Sequence, residues 1–376
     1  MSQTTRLAKV IRPVIEPGRR VIAVSDIHGN LPFLKALLKK VDFSADDVLI
    51  LVGDLLEKGS DSIGVLRYVM ELMQTHTVYP LCGNCDGLVL RFFEDDNWDS
   101  GFFTNYLPAH PESTLRQLAD EMGFSAWDDL PAFRTAVRKA YPDIWKWLKE
   151  LPTILETDQY VFVHGGVPSL EHMEELDSWK CMKNDNFLMQ GHFFPKYVVV
   201  GHWPVTLYDP AIPSSAPIMD HEHRIISIDG ACVLKVDGQL NALTIPDITQ
   251  PHFTWQAYDG LPTVTALDAQ PPSQDPVNIR WGRSKLELLE RGEELSLCRH
   301  LETGRVMPIL NSYLREGPRG LWCEDSTDYR LPVSPGDTLT LVASTKTGYL
   351  CKKDGVTGWY SGRITDPNEQ PTISTK

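Results

Sequence analysis

Six side chains able to ligate a metal ion stand shortly after apolar runs of this sequence. In chain order they are Asp26, His28, Asp54, Asn84, His164 and His202. Two carboxylates, one amide and three imidazoles form a mixed oxygen and nitrogen donor set, which suits Mn, Fe, Zn and similar ions. The residue types and their order therefore predict a metal centre.

The spacing of these donors also predicts a chemistry. Asp26 and His28 are two positions apart, so both side chains can point the same way at an extended strand exit. The carboxylate of Asp54 can bridge two cations, and Asn84 can donate a neutral carbonyl oxygen. Two ions about 3.5–4 Å apart can clamp a phosphoryl oxygen and lower the pKa of a bridging water towards ~7. We expect a metal-bridging hydroxide to attack a phosphoester without a separate general base.

Strands must carry these donors to a common edge, and the sequence contains five suitable segments. They are short, apolar and rich in β-branched residues: Val21–Val24, Val48–Val52, Val78–Leu81, Tyr160–Val163 and Tyr197–Val200. Two segments with helical spacing of apolar residues, Asn30–Val41 and Ser62–Met73, separate the first three. This alternation predicts a layered α/β domain, in which ligands gather beyond the carboxyl ends of the strands.

Changes of pattern predict the domain boundaries. We assign residues 1–258 to the main domain, with a helical insertion at about 88–158 that contains helices Glu112–Met122 and Ala132–Leu151. The strand-like segments Arg224–Ile228, Cys232–Val236 and Leu240–Ile245 suggest antiparallel hairpins. The Pro-rich stretch 259–283 is predicted to be a linker, 284–365 a small β-rich domain, and 366–376 a disordered tail. Within the small domain, Ser284–Leu295 is predicted to form a short helix.

The composition is that of a globular protein and narrows the range of partners. Of 376 residues, 42% are hydrophobic and 23% are charged, which excludes a wholly disordered or fibrous chain. Asp and Glu outnumber Lys and Arg by 50 to 36, so the net charge is −14. Because nucleic acids and anionic membranes attract basic surfaces, we expect no bulk nucleic-acid binding and no membrane binding.

Two further features predict a cytoplasmic location. The segment MSQTTRLAKVIRPVI lacks the apolar core of a secretory signal, and the longest apolar runs are too short to cross a bilayer. The 7 cysteines are an odd number and widely scattered, which is typical of free thiols in a reducing compartment.

The motifs DIHGN, GDLLEKG, GNCD, HGG and GHWP resemble those of the calcineurin-like metallophosphoesterases, and within them the phosphoprotein phosphatase branch. The resemblance covers roughly residues 20–245. It implies a four-layer α/β/β/α sandwich with a dinuclear centre. The implied cofactors are two divalent or mixed-valence ions, Mn first, with Fe, Zn or Ni as alternatives. The implied ligands are Asp26, His28 and Asp54 for the first ion, and Asp54, Asn84, His164 and His202 for the second.

This sequence departs from the family pattern at residues that contact the substrate. The family's GDxxDRG motif is GDLLEKG here, so Lys58 replaces a phosphate-binding arginine and Glu57 replaces an aspartate. A lysine cannot bind two phosphate oxygens in a fork, so we expect a weaker contact. The family's GNHE motif is GNCD here, so Cys85 stands where a histidine would protonate the leaving group. We predict Cys85 and Asp86 as catalytic residues.

The family's second phosphate-binding arginine has no match in this sequence. Lys183, in MKNDNFL, is the nearest candidate, and Lys180 is the alternative. We therefore predict Lys58 and Lys183 as substrate-binding residues. The competing interpretations are solvated lysines at these positions and a buried structural thiol at Cys85.

The β-rich segment 284–365 resembles a bacterial SH3-like domain, chiefly through GDTLTLVAS and VTGWYSG. Such modules bind a peptide or pack onto their own enzyme, so one of these two kinds of contact is expected here.

Together these features predict a metal-dependent phosphomonoesterase similar to bacterial serine/threonine protein phosphatases. Its substrates would be phosphorylated proteins or small phosphoesters. The first alternative is a phosphodiesterase or dinucleoside polyphosphate hydrolase, favoured by GNCD and by the missing arginines. The second is a non-catalytic metal-binding scaffold that recruits a partner through the C-terminal module.

Overall fold

A computed structural model describes residues 6–94, 100–125, 129–318 and 320–365. The predicted disordered tail, 366–376, lies outside these residues. The chain divides into two compact units. The first contains Met1–Pro204, Pro217–Leu234 and Gln239–Tyr258, and the second contains Val205–Ala216, Lys235–Gly238 and Asp259–Lys376.

The first unit contains strands and helices in alternation along much of its length. Its strands are β1 (Val10–Ile11), β2 (Val21–Val24), β3 (Val48–Leu51), β4 (Thr77–Pro80), β5 (Ile154–Glu156), β6 (Tyr160–Val163), β7 (Tyr197–Val200), β8 (Ile218–Asp220), β9 (Ile225–Ser227), β10 (Leu240–Ile245) and β11 (Thr254–Tyr258). Its α-helices are α1 (Leu31–Lys40), α2 (Ser62–Thr75), α3 (Asn84–Glu94), α4 (Ser100–Ala109), α5 (Thr114–Met122), α6 (Leu130–Ala140), α7 (Pro142–Glu150) and α8 (Ser178–Met182).

These strands form two sheets, with orders β11-β10-β2-β3-β4 and β1-β5-β6-β7-β9-β8. In the first sheet β2, β3 and β4 are parallel, with Val21 opposite Val48 and Val48 opposite Thr77. In the second sheet β6, β7 and β9 are parallel. Because the carboxyl ends of parallel strands share one edge, the loops after β2, β3 and β4 lie together, as do those after β6, β7 and β9.

Three apolar cores show how the layers stack. Alternate residues of the two sheets, such as Ala23 and Val199, share one core between the sheets. The opposite face of the first sheet, including Ile22, packs under α1 to α3 and the insertion helices. The opposite face of the second sheet, including Val161, packs under α8 and neighbouring loops. The α/β/β/α layering implied by the family resemblance is confirmed.

The helices follow local sequence signals. At the start of α1, the Asn30 side chain accepts a hydrogen bond from Phe33 N–H at 3.2 Å. The long helix predicted over Ala132–Leu151 is two helices, α6 and α7. Pro142 is the first residue of α7, and since proline has no N–H it cannot continue the preceding helix.

The described part of the second unit is mainly β structure. Its strands are β12 (Thr263–Thr265), β13 (Asn278–Ile279), β14 (Lys285–Glu290), β15 (Leu295–His300), β16 (Val306–Leu310), β17 (Leu314–Gly317), β18 (Gly320–Cys323), β19 (Ser326–Thr327), β20 (Thr338–Thr345), β21 (Gly348–Lys353) and β22 (Val356–Tyr360). They form sheets of order β12-β20-β21-β22, β16-β15-β14-β18-β17 and β13-β19. An all-β C-terminal region is thereby confirmed, and its likeness to SH3-like domains stays a prediction.

Three local predictions differ from the structure. The helix predicted over Ser284–Leu295 is wrong: most of this segment is β14, which pairs with β15 and buries Leu286. The predicted linker 259–283 contains β12 and β13, and it is packed because Val264 and Ile279 enter apolar cores.

The third difference concerns the hairpins predicted between 224 and 245. Cys232–Val236 is a series of turns rather than a strand, since Ala231 and Val233 have positive φ angles of 61° and 68°. The flanking strands β9 and β10 lie in different sheets and do not form a hairpin. In the described part of the chain, no helix is long and apolar enough to cross a membrane.

Candidate metal centre

Five of the six predicted ligands lie on loops that leave the carboxyl ends of the strands, and Asn84 is the first residue of α3. Asp26 and His28 follow β2, Asp54 follows β3, and His202 follows β7. All four have positive φ angles, of 55°, 49°, 49° and 66°, although none is glycine. Such conformations are disfavoured for residues with a side chain, and they concentrate at functional sites.

The first three ligands form one half of the centre. His28 Nε2 lies 3.7 Å from Asp26 Oδ1 and 3.9 Å from Asp54 Oδ2, and each residue is at most 2% exposed. His28 Nδ1 lies 3.4 Å from the Leu56 carbonyl oxygen. Because a carbonyl only accepts hydrogen bonds, Nδ1 carries the proton and Nε2 offers its lone pair to a cation.

Asp54 also belongs to the second half of the centre. Its Oδ1 lies 3.3 Å from His164 Nε2. His164 Nδ1 donates to the Val52 carbonyl at 2.8 Å, which leaves Nε2 as the ligand nitrogen. The ring centroids of His164 and His202 are 5.3 Å apart, and candidate ligand atoms of Asp54, His164 and His202 all lie within 4.8 Å of one another. One carboxylate therefore joins two groups of donors.

Unsatisfied polar atoms provide the test of whether this cluster fits metal ions. Asp26 Oδ1, Asn84 Oδ1 and His164 Nε2 are buried and have no hydrogen-bond partner. Burying a polar atom without a partner costs about 1–3 kcal/mol, so natural proteins rarely leave several together. All three atoms are good ligands for divalent cations. The donor set therefore fits a dinuclear metal centre.

The electrostatics of the cluster suit the binding of cations. Burial raises the pKa of Asp26, because the carboxylate loses its hydration. Burial lowers the pKa of His164, but the carboxylates of Asp54 and Asp26 outweigh it and raise this pKa to about 10. Burial and the nearby Lys58 lower the pKa of His28 to about 3, so His28 is in the neutral form that binds metals.

Two glycines are required where the loops cross. A Cβ atom on Gly83 would lie 2.2 Å from Asp54 Oδ1, and one on Gly201 would lie 2.2 Å from Asp26 Oδ2. Neither carboxylate could keep its place beside a larger residue. This close approach explains why glycine stands next to the ligands in the sequence.

Asp185 supports His202 from outside the cluster and was not identified from the sequence. Its Oδ1 accepts from His202 Nε2 at 2.8 Å, which leaves His202 Nδ1 available to a cation. His202 N–H also donates to Asp26 Oδ2 at 3.0 Å. Lys183, a predicted substrate contact, donates to the same Asp185 oxygen at 2.9 Å, and its Nζ lies 3.5 Å from His202 Nε2. Lys183 is thus beside the centre but paired with a carboxylate.

The two predicted catalytic residues, Cys85 and Asp86, lie in different surroundings. The Cys85 thiol is buried, and its sulfur groups with ligand atoms of His28 and Asp54 within 4.8 Å. Its backbone N–H donates to Asp54 Oδ1 at 2.8 Å. Burial and the Asp54 charge raise the pKa of this thiol well above its usual range.

Asp86 is turned towards the backbone. Its Oδ1 accepts from the Leu55 and Leu56 amides at 3.1 Å each, and its Oδ2 accepts from Gly83 N–H at 2.9 Å. Since both oxygens are occupied and the residue is fully buried, these contacts order the loop that carries Asp54. A catalytic role for Asp86 stays a prediction.

Two more charged residues face the cluster. Burial lowers the pKa of Lys58, but Cys85, Asp54 and Asp26 outweigh it and raise this pKa. Asp229 is fully buried, accepts from Ala231 N–H at 2.8 Å through Oδ1, and has an unpartnered Oδ2. The sequence analysis missed Asp229, although it follows the predicted strand Arg224–Ile228 as the other acids follow theirs.

Two curated proteins similar to this chain carry the same name. The symmetrical bis(5'-nucleosyl)-tetraphosphatase of Vibrio parahaemolyticus is 27% identical over 177 residues, which cover 46% of this chain and 53% of that protein. The protein of the same name from Erwinia tasmaniensis is 31% identical over 147 residues, which cover 38% and 43%. The chain thus spans about half the length of these relatives.

Solved structures that match this chain include a protein serine/threonine phosphatase from Saccharomyces cerevisiae. It is 9% identical, with a TM-score of 0.42, and the match covers 68% of this chain and 84% of that one. A metallophosphoesterase from Sphaerobacter thermophilus is 14% identical, with a TM-score of 0.35, and the match covers 64% and 88%.

Residues 19–206, half of this chain, match the family described as calcineurin-like phosphoesterase. The range includes all six candidate ligands, Lys58 and Cys85. The family resemblance inferred from the motifs is confirmed. The protein therefore belongs to the calcineurin-like phosphoesterase family.

Proposed function

We propose that the protein hydrolyses phosphoesters with two divalent metal ions, Mn first, with Fe, Zn and Ni as alternatives. One observation carries this proposal: three buried ligand atoms of the cluster, Asp26 Oδ1, Asn84 Oδ1 and His164 Nε2, have no hydrogen-bond partner. The residues that would hold the ions are Asp26, His28 and Asp54 for the first, and Asp54, Asn84, His164 and His202 for the second. When bound, the ions would polarise phosphoryl oxygens and lower the pKa of an attacking water.

The chain's own residues would bind and orient the substrate around this centre. The ammonium of Lys58 carries three donors and would hold one phosphoryl oxygen as its negative charge develops. Asp185 keeps a proton on His202 Nε2 and fixes the orientation of that ring. Cys85, whose sulfur groups with ligand atoms of His28 and Asp54, would face the leaving group, and a thiol is only a weak hydrogen-bond donor.

The substrate class that we propose is a dinucleoside polyphosphate. A nucleotide leaves as a phosphate anion, which needs less help from a general acid than the alkoxide released from a phosphoserine. The weak donor at Cys85 therefore favours phosphoanhydrides over alkyl phosphomonoesters. The name shared by the curated relatives, symmetrical bis(5'-nucleosyl)-tetraphosphatase, supports the same class. The protein-phosphatase prediction is the alternative.

A substrate panel with added Mn²⁺ tests these proposals. It contains diadenosine tetraphosphate, a phosphoserine peptide, an aryl phosphomonoester and an aryl phosphodiester at equal concentration. Asp54→Asn serves as the inactive variant. Asp46→Asn, at an exposed position before β3, serves as the matched control. We expect fastest hydrolysis of the tetraphosphate, with ADP as the sole nucleotide product.

Other outcomes of the substrate panel would favour other functions. Fastest turnover of the phosphopeptide would replace the proposed substrate with the protein-phosphatase alternative, and fastest turnover of the diester would favour a phosphodiesterase. A folded, metal-loaded protein that hydrolyses none of the four would contradict the proposed reaction and favour a scaffold.

We also propose a cytoplasmic location and a binding role for the C-terminal β region. All seven cysteines are free and buried, which supports a reducing compartment. The β region would contact a peptide or the enzyme itself. Cell fractionation followed by immunodetection tests the location, and recovery of the protein outside the cytoplasmic fraction would contradict it.

A further inference from the structure

Glu57 joins the loop after β3 to the helical insertion. Its carboxylate is 1% exposed and accepts three hydrogen bonds from the insertion. Tyr106 O–H donates to Oε2 at 2.6 Å, while Ser113 O–H and Thr114 N–H donate to Oε1 at 3.1 and 3.0 Å. These donors lie on α4 and at the start of α5, so one side chain ties both helices to this loop.

The backbone of the same loop is held from the insertion as well. Glu57 N–H donates to Thr114 Oγ1 at 3.2 Å and to Ser62 Oγ at 3.0 Å. The Gln117 side chain donates to the Gly59 carbonyl at 3.2 Å and accepts from Ile63 N–H at 3.3 Å. The first turn of α5 thus contacts the loop on both sides of Lys58.

This support is needed because the loop is strained. Glu57 and Lys58 have φ angles of 70° and 68°, in the left-handed region that side chains disfavour. Strained conformations of this kind persist only where the surroundings hold them. A Cβ on the next residue, Gly59, would also lie 1.9 Å from the His28 carbonyl oxygen, so the loop is fixed against the metal-ligand loop.

From this geometry we infer that Glu57 is a positioning residue, which fixes the insertion to the loop and thereby directs Lys58 towards an anionic phosphoryl group. The inference rests on the proposed function for the role of Lys58. Glu57 itself has no free oxygen for the substrate, because Tyr106, Ser113 and Thr114 occupy both. The acidic residue of the GDLLEKG motif thus connects the loop after β3 to the insertion.

The test measures the binding of inorganic phosphate to the metal-loaded full chain by calorimetry. We expect Glu57→Ala and Lys58→Ala each to weaken phosphate binding about tenfold, and the double variant to be no weaker than either, since the two residues act through one contact. Metal content stays unchanged. Glu57→Gln, which keeps an oxygen acceptor, restores part of the affinity. Glu121→Gln, on the exposed face of α5, is the matched control.

A second variant covers the case in which Glu57→Ala does not fold. Tyr106→Phe removes a single hydrogen bond to Glu57 and should weaken phosphate binding in the same direction, with a rise in KM larger than any fall in kcat. Unchanged phosphate affinity in a folded Glu57→Ala protein, or additive losses in the double variant, would overturn the inference. Absence of phosphate binding by the natural chain would overturn it too. Failure to hydrolyse dinucleoside polyphosphates alone would contradict only the proposed substrate.

Discussion

Asp54 is the residue that both halves of the candidate metal centre share. Its two carboxylate oxygens face different imidazoles, with Oδ2 at 3.9 Å from His28 Nε2 and Oδ1 at 3.3 Å from His164 Nε2. Burial raises the pKa of Asp54, but the neighbouring His164 outweighs it and holds this pKa well below its usual range. The group is therefore a carboxylate at all ordinary pH values, ready to bridge two cations.

Replacing Cys85 by histidine should widen the range of leaving groups. An imidazole is a better proton donor than a buried thiol, and a positioned general acid contributes about 10²–10⁴-fold. We expect Cys85→His to raise kcat for an alkyl phosphomonoester at least about tenfold, with little gain for diadenosine tetraphosphate. Steady-state kinetics on both substrates provides the measurement, with Cys85→Ser as the control. Equal gains on both substrates would speak against a leaving-group role for this position.

The Asp185 carboxylate should tune metal affinity through His202. Removal of such outer partners typically costs about 10–100-fold in metal affinity, so we expect Asp185→Asn to weaken binding of the second ion by about that factor. Titration of the metal-free protein with Mn²⁺ measures this. Lys183→Ala is the matched control, because Lys183 donates to the same Asp185 oxygen. A loss in Lys183→Ala as large as in Asp185→Asn would contradict the assignment.

At the residue scale, a site residue can be predicted from the sequence where it follows the end of a strand. Asp26, Asp54 and His164 could be predicted because each follows an apolar strand. The same rule applies to Asp229, which lies beyond β9. Asp185 could not be found in this way, since it lies between α8 and β7, in a loop where Asn186 has a φ of 59°. Its contact with His202 arises only when that loop folds back.

At the scale of elements, Arg20 and Asp47 join the starts of β2 and β3. Arg20 donates to both Asp47 oxygens at 2.7 Å, and Ser44 N–H donates to one of them at 2.8 Å. Burial raises the pKa of Asp47, but the hydrogen bonds from Arg20 and Ser44 outweigh it and lower this pKa. This pair helps to fix the register between β2 and β3, the strands that precede Asp26 and Asp54.

Replacing Asp47 should destabilise the fold in a pH-dependent way. Hydrogen bonds to charged groups contribute about 1.5–3 kcal/mol, so we expect Asp47→Asn to lower the free energy of unfolding by about 2 kcal/mol at pH 7. Because the folded pKa lies below the unfolded value of about 3.9, the contribution is present above that pH and is lost as pH falls through the folded pKa. Urea unfolding of both proteins between pH 7 and 3 measures the difference. A difference that does not shrink below pH 4 would contradict this role.

Element prediction fails where tertiary pairing outweighs local pattern. Ser284–Leu295 has residues compatible with a helix, yet most of it is β14, because Leu286 and Cys298 enter one apolar core and β14 pairs with both β15 and β18. The strands β2, β3, β6 and β7 of the first unit were predictable since each is a continuous apolar run of buried residues. Short strands in the second unit lack such a signal.

At the scale of the whole molecule, the second unit draws on two segments from the middle of the chain, 205–216 and 235–238. Within that unit, Asn278 Nδ2 donates to the Thr206 and Asp209 carbonyls at 3.1 and 2.8 Å. Lys235 Nζ lies 3.3 Å from Asp325 Oδ2 and 3.5 Å from Asp237 Oδ1, and all three side chains are nearly buried. The segment after His202 therefore depends on residues that are distant in sequence.

Ending the chain at residue 258 should consequently weaken what remains. Breaking a buried ion pair typically costs about 3–5 kcal/mol, and the cut removes Asp325 from Lys235. For a chain of this length we expect a fall in Tm of about 10 °C, measured by calorimetry. A chain ending at residue 365, which loses only the predicted tail, is the control. An unchanged Tm in the shorter chain would show that the two middle segments need no C-terminal partner.

The number of Mn²⁺ ions bound per chain, measured by mass spectrometry of the equilibrated protein, tests the central claim most directly. If the cluster around Asp54 is a dinuclear centre, the natural chain and the Asp46→Asn control bind two ions. Asp54→Asn then binds one at most, because the shared carboxylate is lost. A natural chain that binds fewer than one ion, or an Asp54→Asn chain that keeps two, would contradict the claim.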